Sequence, residues 1–425
     1  MNNILPLSKP RALVICHPFE PRICYFLAGL SHYYQLDVVF KPNPPYFKAS
    51  EVFYKWLFAG DAAFRLWQGE QSVLQTTTYE ATFVHADFFG SFSQKKTVYK
   101  TKGELLELLK KLRGKTRKLF FLEPAEFYFF NFTAPEFWQM VDGVLKWYLF
   151  KKQYAYLIRE EAALKNARFG GAIEGDNELW ELNAKFEAEN YYHKIYPMAF
   201  PGSIVDRPKR AKPLKNRDFD LAASFRKIQT ARTALARAVE DRIKNLQFNY
   251  SLDYGEAYSC SRLTAKNFFL PSLVKFHAAE RAVSRLFYGK YPYVHLAYVH
   301  NLKNSRCFLG LGHINRSLRS ADVWAYGAVL LDWSYEKMDC GVPMVDGYNY
   351  FSIGEREEIF PDNLGFGPGQ KEKTLSRIET ILSDSQKQEE IVQNQFLVYQ
   401  KYFSSPAEYV KKLFIEKALP ELARA

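Results

Sequence analysis

The chain has 425 residues, more than a single hydrophobic core usually organises, and this length suits two domains. Hydrophobic residues make up 48% and charged residues 24%, which excludes a disordered or fibrous chain. The formal net charge of +12 indicates an anionic partner, and a nucleotide-sugar, an acidic glycan, an anionic membrane surface and nucleic acid all satisfy that charge.

Cysteine usage and hydropathy bear on the compartment. The five cysteines are an odd number without a Cys-x-x-Cys pair, which indicates neither a disulfide framework nor a zinc site. The first ten residues lack the apolar segment of a secretory signal, and no window of about 20 residues is free of charge. The sequence therefore predicts a cytoplasmic protein, with peripheral contact at the inner membrane face as a further option.

The first half of the chain alternates short apolar runs with segments of helical spacing. Strands are predicted at residues 11–16, 37–40, 81–85 and 118–122, and helices at residues 22–34, 135–150 and 178–191. This alternation predicts a parallel sheet covered by helices.

A basic stretch at residues 206–217 interrupts this rhythm. It holds six basic residues and two prolines, which is typical of an interdomain linker. Beyond it, strands are predicted at residues 219–224, 293–299 and 306–311, and helices at residues 225–244, 374–402 and 406–422. We therefore expect α/β domains at residues 1–205 and 218–425, the second of them including the terminal helices.

Residues 305–332, SRCFLGLGHINRSLRSADVWAYGAVLLD, are the most informative stretch of the chain. They predict a strand, a loop, a helix from about residue 318 that ends at Gly327, and a strand that ends on Asp332. Backbone N–H groups at a helix start attract anions, and Arg316 and Arg319 add planar guanidinium groups that suit a diphosphate. Asp322 lies one turn further on, which suits a ribose or sugar hydroxyl. Together these groups predict a nucleotide-sugar site.

The same stretch resembles the donor-binding half of GT-B glycosyltransferases, most closely the C-terminal signature of exostosin-like enzymes. Arg319, Asp322, Gly327 and Asp332 stand at the signature's positions, with Ser317 two places ahead of the arginine rather than next to it. The acidic residue is Asp rather than Glu. The resemblance implies GT-B architecture, in which two Rossmann-like domains face each other across a cleft and C-terminal helices pack back. It also implies an acceptor-side first domain and a nucleotide-sugar-binding second domain.

Further donor-binding candidates flank the signature and the second domain's first strand. Ser224, Arg226 and Arg232 follow that strand, where the resemblance implies contact with donor phosphates, although a solvated helix face explains the arginines about equally well. Gly312 and His313 precede the signature arginines. The glycine would let the backbone approach a phosphate, and a plain strand-to-helix turn is the alternative.

Two acidic motifs are candidate ligands of a metal or of the sugar. Asp218 and Asp220 mimic the metal-binding Asp-x-Asp of GT-A enzymes, but here they open a strand instead of following one. We therefore expect a metal-independent site that needs no cofactor besides the donor substrate. Asp346 and Asn349 either bind sugar hydroxyls or form a turn.

An inverting transferase needs a base that takes the acceptor proton. His17 directly follows the first predicted strand, and Asp87 follows another in the run Val-His-Ala-Asp, so these two residues are the predicted catalytic pair. His85, Glu123 and Glu126 occupy comparable positions, and any one such residue is more often structural.

Three functions are consistent with these features. The first is a glycosyltransferase that moves a sugar from a nucleoside-diphosphate sugar to a glycan or lipid-linked hydroxyl in bacterial surface polysaccharide synthesis. The second is a phage-type enzyme that glycosylates hydroxymethylated DNA bases, which the charge and the 17% aromatic residues allow. The third is a non-catalytic α/β protein that binds an anionic polymer.

Overall fold

The structure, a computed structural model, describes most of the chain. The described residues are 9–16, 21–40, 62–66, 74, 78–86, 102–123, 130–169, 181–201, 212–226, 230–251, 257–259, 296–310, 320–361 and 365–423. The chain forms two compact units. The first unit comprises Met1–Ala199, Lys337–Val342 and Ser405–Ala425, and the second comprises Phe200–Glu336 and Pro343–Ser404. The final helices thus belong to the first unit, whereas the sequence grouped them with the second domain.

The first unit is built on a parallel sheet of seven strands in the order β3-β2-β1-β4-β5-β6-β7. The strands are β1 (Arg11–Cys16), β2 (Gln35–Phe40), β3 (Ala62–Leu66), β4 (Tyr79–His85), β5 (Thr116–Glu123), β6 (Gly143–Lys146) and β7 (Ile195–Pro197). Five of the six residues of β1 are fully buried, as expected for a strand covered on both faces. Helices α1 (Pro21–Leu30), α2 (Lys102–Arg113), α3 (Pro135–Met140), α4 (Leu157–Phe169) and α5 (Ala188–Tyr191) connect these strands.

The helix predicted at residues 135–150 is wrong in its second half. Helix α3 ends at Met140, Val141 is extended, and residues 143–146 form β6 inside the sheet. Asp142 fixes this turn, because its carboxylate accepts a hydrogen bond from the backbone N–H of Leu119 at 2.7 Å and pairs with Arg113. The apolar run is buried as a strand, a pattern that periodicity cannot distinguish from a buried helix.

The second unit contains a sheet of six strands in the order β10-β9-β8-β11-β12-β13. The strands are β8 (Phe219–Arg226), β9 (Leu246–Ser251), β10 (Ala257–Ser259), β11 (Ser305–Leu309), β12 (Val329–Asp332) and β13 (Phe351–Ser352). The β9–β10 pair is antiparallel and the other pairs are parallel. Its helices are α6 (Thr230–Arg242), α7 (Leu296–Asn304), α8 (Ser320–Tyr326), α9 (Arg356–Ile359), α10 (Gln370–Ser383) and α11 (Ser385–Phe403).

Two predictions in this unit are corrected. Residues 296–299, predicted as part of a strand, open α7, which continues to Asn304 and buries Leu302. The single helix predicted at residues 374–402 is two helices, α10 and α11. They separate at Asp384, whose carboxylate caps α11 by accepting a hydrogen bond from the Lys387 N–H at 2.8 Å.

The terminal helices pack on the first unit's sheet. They are α12 (Pro406–Val410), a π-helical turn (Lys411–Ile415), α13 (Glu416–Ala418) and α14 (Pro420–Ala423). The ring of Phe414 lies 5.6 Å from that of Phe83 and 4.9 Å from that of Phe120, both edge to face. The Tyr409 hydroxyl donates to the Ala199 carbonyl at 2.6 Å. None of the helices in the described residues is both long and apolar enough to cross a membrane.

Candidate functional site

Each sheet has one point at which the strand order reverses. In the first sheet it lies between the neighbouring strands β1 and β4, and in the second between β8 and β11. Open α/β sheets bind ligands beyond the carboxyl ends of the strands at such a switch point.

The strands that precede or carry the donor candidates, β8 and β11, are neighbours at the switch point of the second sheet. Leu309 of β11 pairs with Ala223 of β8, so Ser224 and the end of β8 lie beside the point where the signature loop leaves β11. Strand β8 runs to Arg226, two residues beyond its predicted end, so Ser224 and Arg226 both lie within the strand and Arg226 does not follow it. Arg232 lies in the first turn of α6. Gly312, His313, Arg316, Ser317 and Arg319 lie outside the described residues.

The second half of the signature has the predicted local structure. Helix α8 ends at Tyr326, and Gly327 follows in the left-handed conformation with φ of 67°. Strand β12 then runs from Val329 to Asp332 and pairs with β11. A left-handed residue after a helix is the position at which glycine avoids the steric cost of a Cβ atom. The predicted helix end at Gly327 and the strand ending on Asp332 are confirmed.

Both acidic residues of the signature are fully buried. Asp322 lies in the first turn of α8 with no exposed surface, and its contact with a sugar or ribose hydroxyl stays a prediction. Asp332 accepts hydrogen bonds from the Trp333 N–H at 2.8 Å and from the Tyr335 hydroxyl at 2.6 Å. It therefore fixes the turn that follows β12.

A buried arginine links the start of β11 to the end of α8, the two elements on either side of the signature loop. Arg217, the last residue of the predicted linker, has 6% of its surface exposed. Its guanidinium donates to the Ser305 carbonyl at 2.6 Å, at the start of β11, and to the Tyr326 carbonyl at 2.6 Å, at the end of α8. Burial lowers the pKa of Arg217 to about 10, which leaves the group charged at neutral pH. Sequence analysis missed this residue because it stands in a run of basic residues that resembles a solvated linker.

The Asp-x-Asp motif forms ion pairs with basic side chains. Asp218 lies 3.9 Å from the ammonium of Lys212, and Asp220 lies 3.4 Å from the guanidinium of Arg306. Across the described ranges, no group of three or more His, Cys, Asp or Glu side chains is placed to hold a metal ion.

Asp346 and Asn349 form a turn. The Asn349 side chain accepts from the Val345 N–H at 2.8 Å and donates to the Pro343 carbonyl at 2.6 Å. The Asp346 carboxylate accepts from the Ser352 N–H at 2.7 Å and pairs with Arg377. Of the two interpretations, the structure supports the turn.

In the first unit, the predicted catalytic residues His17 and Asp87 lie outside the described residues. The strands that precede them, β1 and β4, are the neighbours at the switch point, with Ile15 paired to Val84. His85, the last residue of β4, is fully buried.

Glu123 forms a buried ion pair at the carboxyl edge of the same sheet. Its carboxylate lies 3.6 Å from the ammonium of Lys146, the residue that pairs with it across β5 and β6. It also accepts the Asn131 N–H at 2.5 Å. Glu123 is 2% exposed and Lys146 is not exposed at all. Burial lowers the pKa of Lys146, and the nearby Glu123 carboxylate partly opposes that shift. These contacts suit a structural role for Glu123 better than proton transfer to an acceptor.

In each described sheet, the two strands at the switch point are the strands that candidate residues follow or end in sequence, β8 and β11 in the second unit and β1 and β4 in the first. Lys146 was missed because it falls inside a stretch that the sequence predicts to be helical.

Comparison with known proteins shows no family: no protein-family model matches the chain, and no curated protein matches it significantly.

Proposed function

We propose that the chain is a metal-independent glycosyltransferase of the GT-B class, which transfers a sugar from a nucleoside-diphosphate sugar to a glycan or lipid-linked hydroxyl. One observation supports the proposal: β8, which carries Ser224 and Arg226, is the neighbour of β11, the strand that precedes the signature loop in sequence, at the second sheet's switch point. These segments are about eighty residues apart in sequence, and the resemblance assigns donor-binding residues to both.

The chemistry of the donor site follows from the charge that develops during transfer. When the bond between the anomeric carbon and the diphosphate oxygen breaks, negative charge grows on the leaving diphosphate. Preorganised cationic donors stabilise that charge, and Arg316 and Arg319 provide two such groups on the signature loop. The Gly312 backbone allows close approach of phosphate oxygens. In this proposal, Asp322 organises the helix behind the site or binds a donor hydroxyl.

The architecture of each unit supports the same class. Each unit carries a predominantly parallel sheet with a switch point, and the terminal helices pack on the first sheet. The resemblance implied both features. Because such sheets host many functions, the architecture supports the proposal only together with the signature.

The first unit would present the acceptor. His17 and Asp87 follow the strands on either side of its switch point, and either residue could accept the proton of the attacking hydroxyl. The acceptor class is a bacterial surface glycan or its lipid-linked precursor, reached at the inner membrane face. The net charge of +12 favours contact with that anionic surface.

The proposal is tested by sugar transfer from a panel of UDP-, GDP-, ADP-, dTDP- and CMP-sugars to a bacterial surface-glycan extract and, separately, to hydroxymethylated DNA. Arg319→Ala is compared with Arg306→Ala, a control in the same unit whose arginine forms a partly exposed ion pair. We expect transfer to glycan from one donor class, abolished by Arg319→Ala and retained by Arg306→Ala. Full activity of Arg319→Ala would refute the donor assignment, and transfer to DNA alone would replace the glycan acceptor with the phage-type one.

A further inference from the structure

The first unit contains a pocket on the side of α3 and α5 that the proposed transfer reaction does not use. Its volume is about 440 Å³, within the range of small-molecule sites. The segment Asn131–Pro135, helix α3 and the residues around α5 form its walls.

The floor of the pocket is aromatic. Phe137 and Phe186 are almost fully buried, and Phe132 stacks on Phe137 with ring centroids 5.3 Å apart and planes inclined by 28°. Tyr191 is nearly parallel to Phe186, at 5.8 Å and 10°. Such packed rings present a rigid apolar surface whose shape is set before any ligand arrives.

Buried polar groups anchor the wall that leads into this pocket. The Asn183 side chain accepts from the Phe130 N–H at 2.9 Å and donates to the Phe130 carbonyl at 2.8 Å, both in buried surroundings. Glu123 accepts the next N–H, that of Asn131, and the Lys146 ammonium lies 5.0 Å from the centre of the Phe130 ring. These hydrogen bonds fix the backbone of residues 130–131, and the pocket-lining residues 131–135 continue directly from this fixed segment.

The rim of the pocket is polar and mixed in charge. Asn131, Thr133, Lys185, Glu187 and Asn190 line it, and the last three are exposed. The Asn190 amide donates to the Glu187 carboxylate at 2.7 Å, which orients both groups at the pocket mouth. The rim thus offers hydrogen-bond donors and acceptors together.

We propose that this pocket binds a saccharide. A sugar ring has an apolar C–H face that packs on aromatic rings and hydroxyls that both donate and accept, which matches the aromatic floor and the mixed rim. A hydrocarbon chain would leave the rim groups without partners, and a phosphate would find no net positive charge, because the rim carries one ammonium (Lys185) and one carboxylate (Glu187). The inference does not rest on the proposed transfer reaction, because binding at this pocket is measured without turnover.

The test is saturation-transfer-difference NMR of the full chain with a millimolar panel of methyl hexosides, N-acetylhexosamines, hexuronic acids and disaccharides, with hexanol as the apolar probe. Ala134→Trp fills the pocket, since Ala134 lines it. Asn190→Ala removes one rim amide. The matched control Gln35→Ala removes an exposed amide at the start of β2, in the same unit.

We expect at least one saccharide to give a signal strongest at its ring C–H protons. Ala134→Trp should abolish that signal, Asn190→Ala should weaken affinity at least tenfold, and Gln35→Ala should leave it unchanged. Thermal unfolding checks that each variant is folded. If Ala134→Trp does not fold, Asn190→Ala still tests the proposal, because Asn190 is exposed and its replacement does not disturb the core. No saccharide signal, a signal that Ala134→Trp and Asn190→Ala both leave unchanged, or binding of hexanol alone would overturn the proposal.

Discussion

Removing the guanidinium of Arg217 should destabilise the second unit strongly. In the Arg217→Met variant, three buried carbonyls lose their donor, those of Leu302, Ser305 and Tyr326, at 3.3, 2.6 and 2.6 Å. A buried acceptor left without a partner costs about 1–3 kcal/mol, so the three together predict a loss of about 3–9 kcal/mol. Arg217→Lys should recover little of it, because one ammonium cannot reproduce the planar fork that serves several acceptors.

The assay is urea unfolding followed by tryptophan fluorescence, with Arg306→Met as the matched control. Arg306 lies in the same unit and pairs with Asp220 at 3.4 Å, but both side chains are about one-third exposed. Such a pair contributes about 0–1 kcal/mol, so the control should unfold close to the wild type. Similar losses of unfolding free energy in the two arginine variants, or a loss below about 1 kcal/mol for Arg217→Met, would refute the argument that Arg217 stabilises the second unit by linking β11 to α8.

Four further predictions concern the packing. Lys146→Met should lower the free energy of unfolding in urea by about 3–5 kcal/mol, because it leaves Glu123 buried without its ion-pair partner. Adding Glu123→Gln should restore part of that loss. Equal stability of the wild type and Lys146→Met would contradict this. The pKa of Lys146 is lowered in the folded protein, so between that lowered pKa and the ordinary lysine pKa the unfolded chain binds more protons than the folded one. The free energy of unfolding of the wild type should therefore rise with pH over this interval, and that of Lys146→Met should lack this rise. Gly327→Ala should cost about 1–2 kcal/mol because φ is 67° there, and Gly327→Asn should cost less, both measured as shifts in the unfolding midpoint. Gly29→Ala should increase limited proteolysis near the C terminus because a Cβ atom would overlap the Pro406 carbonyl, and an unchanged digestion pattern would count against that packing.

Much of the fold class could be predicted from local patterns. Strand β1 has the predicted bounds, because five consecutive apolar residues in a short run fit a strand buried on both faces. The end of α8 was also predictable, because Gly327 lies between a helical segment and an apolar strand and supplies the left-handed conformation. These features depend on a few neighbouring residues, which a single sequence displays.

The errors arise where distant residues decide the structure. Arg217 belongs to a basic run and also donates to the nearby Lys212 carbonyl, but its three buried acceptors stand 85 to 109 residues away, so no local pattern distinguishes it from a linker residue. Lys146 lies in an apolar segment that is a strand only because β5 and β7 pair with it on either side. Sequence analysis predicts two donor segments, and the sheet order adds that β8 and β11, the strands that carry or precede them, are neighbours.

The central claim is tested most directly by nucleotide binding in the absence of metal. Thermal shift and calorimetry with UDP, GDP, ADP, CMP and dTDP in excess EDTA would be run on the wild type, Arg319→Ala and Arg306→Ala. The proposal predicts selective stabilisation by one nucleoside diphosphate, lost in Arg319→Ala and kept in Arg306→Ala. Binding of none of these nucleotides, or equal binding by Arg319→Ala and wild type, would contradict it.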